Sequence, residues 1–577
     1  MRPGPHNERN AALSRQLLAA GLLLACSCGG ESAPPLSAVL ITVDTTNPAA
    51  LDFYGSDRGL TPRLAELTAE SVIFDRAHTV TAITLPAHTS MMTGLYPLRH
   101  GVRDNGLMVL PQEAETLAEQ LGERGYQTAA FISAVVLSAP YGLDQGFDVY
   151  DEPVSTTTQV TGKYVERDAA AVTAKTLEWL AARDRSRPFF LWVHYFDPHI
   201  PYTAPSPFLE LADFNPYRAE VAAMDAEIGH LLDGLRTDVG LEHMMLAVVA
   251  DHGESHNRHG ESTHGAFAYE ATTRIPFLLR FPDARRGGER SDEMISVVDL
   301  FPTFLEELDI AGGQEIDGIS LAGARVPEDR GVYLETYTGY LNYGWSPLTG
   351  WVDGRGKYLH SSRPEFYDLV TDPTEKVDLV DSEDIDVTPY IEALRALSEK
   401  PRLPVPAGIQ LSEEGIRQLR ALGYAAVGDL EGRLPDPLDP SDRPAPVERI
   451  EQYAVFGQGL ALAEAHRYEE AIPLLKQVIA ENPMNFFALE ILGGCLIDVA
   501  RYEEAIEVYE MILERGQDRF KVRMCLGSTN GRLGRLDEAE KHLLRAAELQ
   551  PNGSKLAESL ALVRKQKKMR DERRSEE

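Results

Sequence analysis

Three apolar runs in the chain lead directly into carboxylate or imidazole side chains. The run 38–43 ends at Asp44, and the run 245–249 is followed closely by Asp251, His252 and Gly253. The run 188–193 leads into HYFDPHIPY, which offers His194, Asp197 and His199. One aspartate after a strand means little, because aspartate favours turns. Three such ends brought together suit a hard-to-borderline divalent cation such as Mn, Zn, Ca or Mg, at one site in preference to two. A fourth stretch, TAITLPAHTSMMTGLYP (81–97), places Thr84 two residues before Pro86 and His88 two after it. Threonine ahead of a first-turn proline is a helix start, and as a cap alone Thr84 would contribute about 1 kcal/mol. The same position sets a hydroxyl at the positive end of a helix dipole, beside free backbone N–H groups, which suits an anionic ester. A metal held by Asp44, Asp251 and His252 and touching Thr84 would lower the hydroxyl's pKa and orient it for in-line attack.

Those side chains need a rigid frame. From residue 36 to about 345, apolar runs at 38–43, 128–132, 188–193 and 245–249 alternate with helical patterns such as 168–182 and 218–235. This alternation predicts an α/β core: a mainly parallel sheet with helices on both faces. Such sheets bind ligands beyond the carboxyl ends of their strands, where the acidic and imidazole groups fall. Residues 346–424 begin with short aromatic segments and glycine turns, which predict a small antiparallel subdomain followed by helices. Residues 425–448 are rich in Pro, Asp and Gly and read as a linker. From 449 to 577 the sequence repeats: RYEEA at 467–471 recurs at 501–505, and Gly459, Gly493 and Gly527 keep a spacing of 34. That period resembles about three tetratricopeptide repeats and ends in a charged tail. A concave surface on such an array predicts a protein or peptide partner.

The 577 residues carry a formal net charge of −33, which argues against nucleic acid as a partner. Arg2, Arg9 and Arg15 precede the apolar run 17–25, which is too short to span a bilayer but suits a signal peptide. LLAC at 23–26 looks like a bacterial lipobox, so residues 1–25 read as a leader, Cys26 as the lipidated residue and 26–35 as a tether. The expected location is the bacterial cell envelope, with the protein held at the membrane by its lipid. Cys26, Cys28, Cys495 and Cys525 are the four cysteines, so the core can have neither a disulfide framework nor cysteine-ligated zinc.

VLITVDTTNPAALDFYG (39–55), TLPAHTSMMTGLYPLRHGVRDNG (84–106), FDPHIPY (196–202), VVADHGESHNRHGESTHGAFAYEATTRIPFLLR (248–280) and EFYDLVTDPTEKVDLV (365–380) together resemble the sulfatase branch of the alkaline phosphatase superfamily. The resemblance implies a parallel α/β core with a small C-terminal sheet. It implies that Asp44 is the first metal aspartate, that Asp251 and His252 are the later pair, and that Thr84 stands at the nucleophile. Asn105 falls on a polar position that contacts the transferred group, and His199 on the histidine of the Pro-His-x-Pro segment. His264 falls where members carry a Lys or His that touches the leaving group or the transferred oxygens. Two departures bear on the substrate. Arylsulfatases use Cys or Ser in Cys/Ser-x-Pro-x-Arg, oxidised to an aldehyde hydrate, whereas this chain has Thr84 and His88, and a threonine cannot give that aldehyde. Thr45 also replaces a second aspartate. The expectation is a metal-dependent ester hydrolase acting on a small anionic phosphate or phosphonate ester through Thr84. A sulfatase working without formylglycine, and a degenerate scaffold working through its repeats, are the alternatives.

Overall fold

The strand β1 (Ser37–Val43, SAVLITV) is buried at every residue, as a strand covered on both faces must be. It pairs in parallel with β5 (Phe189–Tyr195) on one side and β6 (Met244–Ala250) on the other. Outside β5 lie β3 (Gln127–Phe131) and then β4 (Val149–Asp151). Outside β6 lie β7 (Phe277–Arg280), β2 (Val72–His78) and β8 (Arg290–Ser296). Within this eight-stranded sheet β7 runs antiparallel to both neighbours and the other pairs are parallel. These strands come from a computed structural model that describes residues 36–106, 108–152, 167–323, 325–404, 434–551 and 555–576.

Helices complete the layers. Ala169–Ala182 starts where Asp168 Oδ1 accepts from the Ala171 N–H at 2.8 Å, and it packs on Pro216–Asp238. Two phenylalanine rings of β5, Phe189 and Phe190, and Trp192 beside them are fully buried in the core beneath these layers.

The small antiparallel sheet begins earlier than the glycine-rich turns suggested. Its order is β12 (Glu365–Tyr367), β11 (Lys357–His360), β10 (Leu348–Val352) and β9 (Val332–Thr336), so its edge strand precedes residue 346. Of the expected linker, residues 434–447 lie against the body rather than free of it. Tyr337 OH donates to Pro435 O at 2.7 Å, Thr349 Oγ1 to Pro437 O at 3.1 Å and Ser346 N to Pro444 O at 2.9 Å. Proline lacks an N–H, yet its carbonyl still accepts, and Leu434 and Leu438 add apolar contact.

The repeats form helix pairs: Ile450–Glu464 with Tyr468–Glu481, Phe486–Asp498 with Tyr502–Glu514, and Phe520–Arg532 with Leu536–Leu549. A charged helix, Leu556–Glu576, follows. The periodic glycines sit where helices cross closely: a Cβ on Gly493 would lie 2.6 Å from the Tyr509 ring, and one on Gly527 2.6 Å from Leu543. Among the described residues no helix is long and apolar enough to cross a membrane. The expected leader and Cys26 lie outside the described residues.

Candidate active site

Register brings the chemistry together. Val43 lies opposite both Tyr195 and Ala250, so the residues that follow leave the sheet at one edge. The ladder runs one step further, with Asp44 N donating to Tyr195 O at 2.9 Å and Asp251 N to Val43 O at 3.4 Å. Asp44 and Asp251 therefore face each other across a strand spacing, and His252 follows directly. Acceptor atoms of Asp44, Asp251 and His252 lie within 4.8 Å of one another, and all three residues are fully buried.

These three residues fit a cation. His252 Nδ1 lies 3.1 Å from Gly253 O, which can only accept, so the ring's lone pair is on Nε2. That lone pair faces Asp44 Oδ1 at 3.6 Å and Asp251 Oδ2 at 3.5 Å. Both oxygens of Asp44, and Oδ2 of Asp251, are buried with no hydrogen-bond partner. Acceptors turned towards one another in a dry site repel, and a divalent ion reverses the sign. Burial, together with Asp251 and Glu254, holds the Asp44 carboxyl well above the usual range, and burial does the same to Asp251. Burial and the neighbouring His264 push the His252 imidazole well down, keeping it neutral as a ligand must be.

Thr84 is not the N-cap of its helix. The helix Thr84–Thr93 starts at Thr84 itself, and Ile83 before it, at φ −138°, offers no side-chain cap. The Thr84 hydroxyl points across to His252 Nε2 at 3.4 Å. The capping role passes to Asn105, whose Oδ1 accepts from the Leu85 N–H at 2.9 Å. The Asn105 Nδ2 amide is left buried with no partner. An unpaired amide donor and the Thr84 hydroxyl thus share one helix start.

His88 Nδ1 donates to the Thr84 carbonyl at 2.8 Å, and its ring stands edge-on to His194 at 4.8 Å. Burial drops its pKa to about 4, so the ring is neutral. His199 Nδ1 donates to Ile200 O at 2.7 Å, its Nε2 has no hydrogen-bond partner, and burial lowers its pKa to about 3. His264 stands 4.4 Å from the His252 ring and 5.3 Å from the His199 ring, measured between centroids. Asp44, Thr84, His88, Asn105, His199, Asp251, His252 and His264 therefore meet in one buried cluster.

Glu254 was not expected here, and His194, offered by the run 188–193 but given no role, joins it. His194 Nε2 lies 3.6 Å from Asp44 Oδ2, on the far side from His252. Glu254 is fully buried, with neither carboxylate oxygen hydrogen-bonded and Oε2 3.5 Å from His264 Nδ1. The signal for Glu254 was present, since it lies three residues after Asp251 in DHGE. Asp197 stands apart, with its carboxyl raised to about 6 by burial and influenced by Asp168 and Glu227. Thr45 takes a left-handed φ of 45° and gives its hydroxyl to Pro198 O at 2.9 Å, turned away from the acid cluster. A strained non-glycine residue beside a site is where such strain is kept.

A mainly parallel sheet, a hydroxyl-bearing helix start and carboxylate and imidazole groups gathered at the strand ends form the frame on which the family comparison bears. The sulfatase family matches residues 37–310, and the C-terminal region of N-sulphoglucosamine sulphohydrolase matches 262–396. Tetratricopeptide repeats match 462–526 and 522–552. An uncharacterized sulfatase of Escherichia coli, YidJ, is 22% identical over 417 residues, covering 59% of this chain and 82% of its own length. An ulvan-active sulfatase of Formosa agariphila is 28% identical over 329 residues, covering 49% and 64%. In fold, the phosphonate monoester hydrolase of Agrobacterium radiobacter superposes with a TM-score of 0.54 at 19% identity, covering 63% of this chain and 95% of that one. The chain carries a sulfatase-family domain, a hydrolase of ester bonds, followed by tetratricopeptide repeats.

Proposed function

We propose that the protein hydrolyses a small phosphate or phosphonate ester through Thr84. The observation that carries this reading is the unmodified Thr84 hydroxyl, 3.4 Å from His252 Nε2 and held at the start of a helix. Asp44, Asp251 and His252 would hold a divalent ion, with Thr84 beside them; when bound, it supplies Lewis acidity to the hydroxyl and to an ester oxygen. Thr84 Oγ attacks phosphorus, the P–O bond to the alcohol breaks, and a phosphothreonine forms. Water then cleaves that bond. The proton lost by Thr84 balances the one gained by the leaving alcohol, and in this reading the imidazoles of His199 and His264 relay it. The Asn105 amide, free to donate, stabilises charge on the transferred oxygens.

The test compares kcat/KM for p-nitrophenyl phosphate, bis-p-nitrophenyl phosphate, a phosphonate monoester and p-nitrophenyl sulfate, with Mn, Zn, Ca or Mg supplied in turn. Phosphorus esters should be preferred, and Thr84→Ala should lose at least about a thousandfold in kcat. Preference for the sulfate would favour sulfuryl transfer by an unmodified threonine. In the same reading Cys26 anchors the protein by lipid at the cell envelope, which fatty-acid labelling lost in Cys26→Ala would support. The repeats dock a protein or peptide partner.

A further inference from the structure

The repeat array and the hydrolase site are joined by one segment. Residues 253–265 leave the ligand pair Asp251–His252 and return to His264 through a tight loop. His256, Asn257, His259 and Gly260 all take positive φ, from 50° to 73°. The loop is tied to itself by Ser255 N to Thr263 O and Asn257 N to Glu261 O, both 2.8 Å. Three of these, His256, Asn257 and His259, are not glycine, and left-handed backbone there costs conformational energy that neighbours must offset.

The first repeat helix, Ile450–Glu464, is that neighbour. Ile450 Cγ2 lies 2.7 Å from where a Gly260 Cβ would be, so the side chain fills the space the glycine leaves. One turn on, the Tyr453 ring meets Phe267 at 5.7 Å, Trp345 at 5.7 Å and Tyr343 at 5.4 Å. Phe267 is three residues after His264. Between them, Gly265 lies so close to Ile83, the residue before Thr84, that a Cβ there would stand 2.8 Å from Ile83 Cδ1. His264 is thus set between the nucleophile's helix and the repeat helix. A second tie, Asn482 Nδ2 to Tyr343 O at 2.6 Å, fixes the Tyr343–Trp345 side of the aromatic cluster to the array.

We infer that the first repeat helix is a positioning element of the hydrolase site, with Ile450 and Tyr453 holding the 253–265 loop so that His264 faces His252 and Glu254. The inference rests on the phosphoester reading for its activity readout and has a second readout that does not. Misplacing a proton-relaying group by about 1 Å costs on the order of a hundredfold in rate while leaving ground-state binding largely intact.

In the full-length protein supplied with metal, Ile450→Ala and Tyr453→Ala should lower kcat for the best phosphorus ester 10- to 100-fold and change KM less than threefold. Ile450→Val and Tyr453→Phe should recover most of kcat. Hydrogen exchange followed by mass spectrometry should show faster exchange in 253–265, with β1 and β6 peptides unchanged. Wild-type kcat and wild-type loop exchange in both alanine variants would overturn the inference. So would faster exchange spread equally over β1 and β6, because the array would then only stabilise the fold. If the wild-type chain turns over no phosphorus ester, the function proposed above fails, while the exchange experiment still decides this point.

Discussion

Removing the metal is the perturbation that most directly probes the site. Without a cation, Asp44 and Asp251 face each other and the His252 lone pair in a dry cluster; with one, the same atoms become ligands. A ligand that binds only the folded state stabilises it by RT ln(1 + [L]/Kd), which is about 2.7 kcal/mol at a hundredfold excess over Kd. Residues Leu36–Glu577 form one compact unit. A unit of about 540 residues has a melting entropy of about 1.1 kcal/mol/K, so that stabilisation raises Tm by about 2.5 °C. The assay is scanning calorimetry of chelator-treated protein with and without added Mn, Zn, Ca or Mg. Asp44 and Asp251 have folded pKa values raised above 3.8 by burial, so in metal-free protein their contribution to stability falls as pH rises above that value. The gap between metal-free and metal-loaded Tm should therefore widen from pH 5 to pH 8. Asp44→Asn, which removes one of the opposed carboxylates, should melt no lower than the metal-free wild type at pH 8 and respond weakly to metal. Equal Tm for wild type with and without each metal, at every pH, would refute the cation-site reasoning.

Other predictions follow from buried charge and close packing. Lys357 is fully buried between Glu270 at 2.7 Å and Glu375 at 2.9 Å, so Lys357→Met, which removes the cation the two carboxylates share, should cost about 3–5 kcal/mol in a denaturant titration. Burial raises the Glu261 carboxyl to about 8, so the stability it supplies is complete below its unfolded value and is lost as pH rises through 8. Tm measured from pH 5 to 9 should therefore fall less steeply for Glu261→Gln than for wild type. Gly493→Val places a branched side chain where a single Cβ already meets Tyr509 at 2.6 Å, and should cost about 1–3 kcal/mol or unfold the repeats, read by helical circular dichroism.

Much of the frame was legible because its signals are local. The run 38–43 and the observed Ser37–Val43, or the period over 168–182 and the helix Ala169–Ala182, differ by a residue because continuous apolar runs and a 3.6-residue repeat speak for themselves. The strand β8, RSDEMIS, gave no such signal: five of its seven residues are polar or charged and it lies at the sheet edge. The antiparallel direction of β7 depends on its neighbours, which no local pattern records. At the site, Asp44, Asp251 and His252 could be placed because each follows a recognisable strand. Glu254 could not, since a carboxylate beyond a turn reads as solvated until its partners are known, and His194, though offered by its run, carried no assigned role because an imidazole within a strand reads as a core residue. Thr84 looked like a cap because Thr-x-Pro is a helix start, and the actual cap, Asn105, comes from 20 residues away. The repeat period revealed the helices but not their contact with the loop beside the site, because periodicity describes only how repeats pack on one another.

One hydrophobic cluster contains Leu334 and Leu359 of the small sheet, Trp345 before β10, and Phe456, Leu475 and Phe487 of the repeats. A core divided in this way has a history in time. The small sheet ends at Tyr367, yet the residues that cover its outer face extend to the helix ending at Asp498. At about 5–20 residues per second, the ribosome needs on the order of ten seconds to supply them. During that interval the hydrolase half carries an uncovered aromatic face, open to chaperones or to aggregation. The folding yield is therefore set partly by a domain made after the sulfatase-family domain it covers.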